Sequence, residues 1–252
     1  MAIDEAVVGD VVRGDSPPTL RFYAWSPPCL SLGRNQPLAD VDSVACQAAG
    51  VDVVRRPTGG RAILHTDELT YSIALHQDDP RATGDIVDSY RRLSKGLLAG
   101  LLSLDVAATQ VTDQGKQAGK LSPVCFEMPS NYEITVGGRK LVGSAQWRAK
   151  GGVLQHGSLP LNGDLGRIVD CLDLTAAERE EQRPRVRQRA TTLEESAGRF
   201  LPSEQVTQAL IDGLVQALNV SLVRGELTDR ERGLAAELRR DRYASPAWSG
   251  RA

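Results

Sequence analysis

Residues 55–75 read Arg-Arg-Pro-Thr-Gly-Gly-Arg-Ala-Ile-Leu-His-Thr-Asp-Glu-Leu-Thr-Tyr-Ser-Ile-Ala-Leu. This stretch constrains the fold more than any other, because it joins a glycine turn, a cluster of guanidinium groups and a strand. Gly59 and Gly60 carry no Cβ, so the chain can turn sharply and bring its backbone close to a ligand. Arg55, Arg56 and Arg61 flank the turn, where they would neutralise an anionic or carbonyl group. Leu69, Tyr71, Ile73 and Leu75 then alternate with Thr70, Ser72 and Ala74, the period of a half-buried strand.

A second dense stretch covers residues 122–160. Cys125 lies between Pro123 and Pro129, in a segment that reads as irregular. Gly137 and Gly138 separate two β-prone runs, a hairpin signal, and put Lys140 two residues past the turn on a strand. Gly151 and Gly152 separate Trp147 from the run 153–159. Residues 132–160 therefore read as a three-stranded meander carrying Lys140 and His156, with Cys125 on the loop that enters it. Taken alone, Cys125 reads either as a small buried hydrophobe or as a nucleophile. Lys140 reads either as an exposed residue after a hairpin or as a site residue.

Taken in order, four motifs resemble a known family. They are Arg55-Arg56-x-Thr58-Gly59-Gly60-Arg61-Ala-x-x-His65, Cys125-Phe-x-x-Pro-Ser, Lys140-x-x-Gly143-Ser144-Ala145-Gln146 and His156-Gly-Ser. Together they resemble the cofactor-transferase domain shared by lipoate–protein ligases, biotin–protein ligases and octanoyltransferases. The form most resembled is the octanoyltransferase of Gram-positive bacteria, whose nucleophilic cysteine sits in a Cys-Phe loop.

The resemblance implies an α+β fold with a mixed or antiparallel central sheet flanked by helices. It implies octanoyl transfer without ATP, since converting a thioester into an amide is downhill. Cys125 would attack octanoyl-acyl carrier protein. The octanoyl-Cys125 thioester would then be attacked by a lysine of a lipoyl-domain protein, such as glycine cleavage H protein or a 2-oxoacid dehydrogenase E2. Lys140 would support the thiolate and the developing oxyanion. The same resemblance makes Arg55, Thr58, Gly59, Gly60, Arg61, His65, Tyr71, Gly143, Ser144, Ala145 and His156 the substrate-binding set. The acyl chain would run near Tyr71, Gly143 and Ala145. His65 and His156 read as pocket residues, proton shuttles or structural histidines. No cofactor and no metal are expected.

The bulk composition fits a cytoplasmic enzyme, expected as a monomer. The chain of 252 residues has 41% hydrophobic and 25% charged residues, ordinary for a globular protein. A net charge of −2 and 4% aromatics argue against nucleic-acid binding. There is no run of about 18 apolar residues that would span a membrane. No basic start with an apolar stretch marks a signal peptide. Cys29, Cys46, Cys125 and Cys171 show no metal or disulfide spacing, so reduced thiols are expected.

Patterning predicts helices at 3–12, 42–50 and 86–104, and strands at 19–25, 30–33 and 51–55, the last continuing one sheet with 69–75. A strand and then a polar loop, 113–121, follow. Residues 1–165 read as the catalytic core and 166–252 as a helical extension packed on it. Within the extension, 191–198, 203–218 and a final 228–242 read as helices and 220–223 as a strand. Residues 172–189 are strongly charged, with Arg183, Arg185, Arg187 and Arg189 at alternate positions. They read as a solvated face or as a basic rim that docks an acidic carrier. Members of the resembled family usually begin with an earlier tryptophan-containing strand, so a missing edge strand is expected.

Other functions remain open at this stage. An ATP-dependent lipoate or biotin ligase needs no cysteine and more often carries glycine where Arg61 stands. An amidotransferase between lipoyl domains would use the same cysteine and lysine. A non-catalytic module for acylated carriers would not require Cys125 and Lys140.

Overall fold

Two sheets, rather than one, carry the strands. The computed structural model describes residues 1–110 and 133–251. The elements in chain order begin with α1 (Ala2–Arg13), β1 (Thr19–Tyr23), β2 (Cys29–Leu32), α2 (Ser43–Ala48), β3 (Asp52–Arg55), β4 (Ile63–His65) and β5 (Glu68–His76). They continue with α3 (Ile86–Leu102), β6 (Ala108–Gln110), β7 (Ile134–Val136), β8 (Arg139–Ala149) and β9 (Gly152–Pro160). A 3-10 segment (Leu165–Cys171) leads to α4 (Ala176–Arg189), α5 (Leu193–Ala197), α6 (Ser203–Leu218), α7 (Asp229–Leu238) and α8 (Pro246–Ser249).

The large sheet has the order β1-β5-β9-β8-β7-β6 and is antiparallel at each pairing. In the small sheet β2 lies between β3, to which it is parallel, and β4, to which it is antiparallel. Residues 51–55 therefore do not continue the sheet of 69–75, as the sequence led us to expect. The chain changes sheets at Thr66–Asp67, where the Leu161 amide donates to the Asp67 carbonyl at 2.8 Å.

β5 is also more deeply buried than its alternation implies, with every residue but His76 buried. Leu69, Tyr71, Ile73 and Leu75 pack under α3 and α6, while Ala74 on the opposite face packs against Val7, Val8 and Val11 of α1. A helix on each face removes the solvent side that a half-buried strand would have. α1 also decides the β8–β9 turn. The turn uses Lys150 and Gly151, at φ 51° and 84°, rather than Gly151 and Gly152. A Cβ on Gly152 would collide with Val8, so this glycine is needed within the strand. The β7–β8 turn does use Gly137 and Gly138, at φ 56° and 78°, as a type I′ hairpin requires.

Further departures lie at helix ends. Ile86, placed on the inner face by spacing, begins α3 and is 53% exposed. Residues 220–223 form no strand, and Val223 is 92% exposed. The helix expected over 228–242 stops at Leu238, passes through a π turn (Arg239–Tyr243), and is followed by α8. The charged segment 172–189 becomes α4, where Arg183 pairs with Asp170, Arg185 with Glu181 and Arg187 with Asp164. Its charge is largely matched within the chain, as on a solvated, ion-paired face. Among the described residues no helix is long and apolar enough to cross a membrane.

α3 and α6 approach closely because glycines face each other. A methyl group on Gly100 would sit 2.6 Å from the Ala209 carbonyl oxygen, and one on Gly213 would strike the Gly100 backbone. Gly213→Ala should therefore lower stability by about 1–3 kcal/mol through overpacking, despite the better helix propensity of alanine. Urea unfolding of the two proteins measures this, and an unchanged or higher midpoint would contradict the close crossing.

Candidate active site

The bend at Thr66–Asp67 leaves a cavity of about 290 Å³ where the two sheets meet. The loop 56–61, β2 and β4 form one wall. β8 and β9 form the other, with Lys140, Gly143, Ser144, Ala145 and His156. Gly59, Gly60, Arg61 and His65, all expected site residues, line it as well. Ser31, Arg56, Thr70, Glu133, Gln146 and Ser158 also line it; Arg56, Gln146 and Ser158 belong to the motifs but not to the expected substrate-binding set, and Ser31, Thr70 and Glu133 belong to no motif. Cys125 lies outside the described residues.

The two adjacent arginines have different tasks. Arg55 was expected to bind substrate, but its guanidinium faces away from the cavity. Nη1 donates to the carbonyls of Gly33 and Gln36 at 2.8 and 2.6 Å, and Nη2 to that of Ser249 at 2.7 Å. It ties β3 to the loop after β2 and to α8. Arg56, the next residue, points to the opposite side of the strand, as β geometry requires. It donates to the carbonyls of Ser31, Gly59 and Arg61 at 2.9, 2.9 and 2.7 Å, closing the glycine loop on itself. Gly60 takes φ 96° in this loop, and its carbonyl oxygen lies where a Cβ on Gly33 would be.

Thr58 and Tyr71 support the walls from behind rather than lining them. Thr58 Oγ1 lies 2.7 Å from His156 Nε2. The Tyr71 hydroxyl donates to Ser144 Oγ at 2.6 Å, and burial pushes its pKa up to about 12. Burial pushes the His156 imidazole down to about 3, with Asp4 opposing and Arg56 adding to the shift. His156 is thus a neutral wall residue at neutral pH and not a proton carrier.

Lys140 forms a buried ion pair with Glu133, the residue just before β7. This corrects the alternative of an exposed lysine after the hairpin. The Thr191 amide donates to the Lys140 carbonyl at 2.9 Å, so the α4–α5 joint holds the backbone of β8 at this point. Lys140 therefore supplies a fixed positive charge at a cavity wall otherwise made by Gly143 and Ala145. Cys29 does not line the cavity, and burial pushes its thiol up to about 12, too high for a nucleophile at neutral pH.

Residues 1–215 match the lipoyl protein ligase A/B catalytic domain family. The chain is 44% identical to octanoyltransferase LipM of Moorella thermoacetica, and the match covers 98% of this chain and 92% of that protein. It is 39% identical to octanoyltransferase LipM of Carboxydothermus hydrogenoformans, with the same shares covered. Its fold is similar to that of a solved lipoate-protein ligase A bound with ATP, with TM-score 0.81 and 25% identity over 100% of this chain and 93% of that one.

Lys140→Ala should abolish the site's cation and also leave the Glu133 carboxylate without its ammonium, at about 3–5 kcal/mol of stability. Adding Glu133→Gln should recover part of that stability and none of the activity. Denaturation of the single and double variants tests the pairing, which requires the double variant to be the more stable. His156 gives a pH signature. The unfolded imidazole binds its proton near 6.5, the folded one only near 3. Between these values the unfolded chain holds the extra proton. Stability should therefore fall as pH drops below 6.5, by up to about 1.4 kcal/mol per pH unit from this group. His156→Gln should flatten that slope in urea unfolding at several pH values, and parallel slopes would contradict the buried neutral state.

Proposed function

The chain belongs to the lipoyl protein ligase A/B catalytic domain family, in its octanoyltransferase LipM branch, and from that premise we propose how it transfers octanoyl groups in protein lipoylation. The acyl donor is octanoyl-acyl carrier protein. The acceptor is the lysine of a lipoyl domain, such as H protein or a dehydrogenase E2. The intermediate is an octanoyl thioester on Cys125.

In the first half-reaction the Cys125 thiolate attacks the donor thioester, and the carrier thiol leaves. The exchange of one thioester for another is nearly isoenergetic and needs no nucleotide. In the second, the lysine amine attacks octanoyl-Cys125, the C–N bond forms and the C–S bond breaks. The single observation that carries this reading is the buried Lys140–Glu133 pair at the cavity wall. A fixed ammonium there favours a nearby thiolate and a developing oxyanion, whereas an acyl-adenylate mechanism needs no thiolate. The volume of about 290 Å³ lies at the small end of ligand pockets, suited to a short acyl chain. Gly143, Ala145 and Gly157 leave the apolar space on the β8–β9 side.

Mixing the protein with octanoyl-acyl carrier protein and an apo lipoyl domain, without ATP, should add one octanoyl group to the acceptor by intact mass. Cys125→Ala should abolish this transfer while leaving the circular dichroism spectrum unchanged. Transfer at the normal rate by Cys125→Ala, or a strict requirement for ATP, would exclude the covalent route in favour of the ligase reading.

A further inference from the structure

One side of the cavity holds a chain of hydrogen bonds that runs to a buried carboxylate. Trp25 Nε1 can only donate, and it donates to Thr70 Oγ1 at 2.8 Å. The Thr70 hydroxyl in turn donates to Glu68 Oε1, and the Ser158 hydroxyl to Glu68 Oε2. At the other end Arg56 Nη1 donates to Ser31 Oγ at 3.1 Å. Ser31 Oγ lies 2.8 Å from His65 Nε2, and in the neutral Nδ1–H tautomer the hydroxyl donates to that nitrogen. An imidazole that accepts at Nε2 carries its proton on Nδ1, and Nδ1 lies 2.8 Å from Glu68 Oε1. Hydroxyl, imidazole and carboxylate thus stand in series. In such a series the hydroxyl passes its proton to the imidazole, and the carboxylate stabilises the imidazolium. Trp25 stacks on the His65 ring with 4.4 Å between centroids, which fixes the ring plane.

Ser31 and His65 line the same cavity as Lys140 and are withdrawn from bulk water, so a group reaches them by entering that cavity. A wall that needed only to be filled would not require a buried carboxylate with three donors and an oriented imidazole, which are costly to desolvate. His156, on the facing strand, is locked neutral and leaves the task to His65.

We infer that Ser31, His65 and Glu68 form the proton acceptor of the second half-reaction, an inference that rests on the octanoyl-Cys125 reading above. The acceptor lysine gives one proton to water to become an amine. Its lone pair forms the C–N bond, and the nitrogen then carries a second proton that must leave. Ser31 Oγ takes that proton as its own passes to His65 Nε2, and Glu68 stabilises the imidazolium. The C–S bond breaks with its electron pair on the Cys125 sulfur, and the imidazolium returns its proton to water. One ammonium and one thioester thereby give one amide, one thiolate and two protons.

The test separates the half-reactions. Wild type, Ser31→Ala and His65→Gln are loaded with octanoyl-acyl carrier protein, and the acylated proteins are isolated. Each is then mixed with an apo lipoyl domain or with hydroxylamine and followed by intact mass. Hydroxylamine is weakly basic and sheds its protons to water unaided. The expected result is a loss of about a hundredfold or more in transfer to lysine, with hydroxylamine discharge unchanged. Lysine transfer at the wild-type rate overturns the relay, as does an equal loss with hydroxylamine, which would mean displaced walls. Octanoyl found on Ser31 in Cys125→Ala overturns it too. Wild-type protein that takes no acyl group overturns the covalent reading itself. If His65→Gln fails to fold, Ser31→Ala carries the test, because it keeps the Ser31 carbonyl that Arg56 also holds at 2.9 Å.

Discussion

Guanidinium groups enclosed among main-chain carbonyls hold the small sheet, the glycine loop and α8 together on one side of the cavity. Arg56 gathers the carbonyls of Ser31, Gly59 and Arg61, and Arg55 gathers those of Gly33, Gln36 and Ser249. The loops they gather have no sheet partners of their own, and charged donors to carbonyls are stronger than neutral ones. Without these bonds the glycine loop would present unsatisfied carbonyls beside a buried cavity, which is costly.

The arginine strand in turn depends on the end of the described chain. Trp248 Nε1 donates to the Arg55 carbonyl at 2.9 Å, while the Ser249 carbonyl accepts from the Arg55 guanidinium. Arg242 lies over the Trp248 ring at 3.8 Å and pairs with Glu5 of α1. α8, α1 and β3 are thereby joined through one aromatic ring and one ion pair. The cavity wall is thus supported by residues nearly two hundred positions away in sequence.

Burial sorts the titratable groups of the site into distinct tasks. His156, held by Thr58, is kept neutral, whereas His65 is held between a hydroxyl and a carboxylate. Lys140 has the Glu133 carboxylate to compensate its desolvation. Each group has a buried partner from a neighbouring strand or loop, so the walls carry polar chemistry without exposing it to bulk water.

Local chemistry in the sequence determined much of this protein. The Gly137–Gly138 hairpin, the α6 boundaries and the meander carrying Lys140 and His156 follow from turn residues and periodicity, which act between near neighbours. The ordered motifs also announced the family and most of the cavity lining. Tertiary structure alone decided which arginine faces the cavity, because the alternation of a strand does not say which side is inside. It alone showed that β5 is covered on both faces and that Gly152 makes room for Val8. It alone brought Ser31 of β2 to His65 and Glu68, and Glu133 to Lys140. A serine in an apolar strand and a glutamate before a hairpin carry no sequence signal, because their meaning lies in a partner that only the packing of two sheets brings within hydrogen-bond reach.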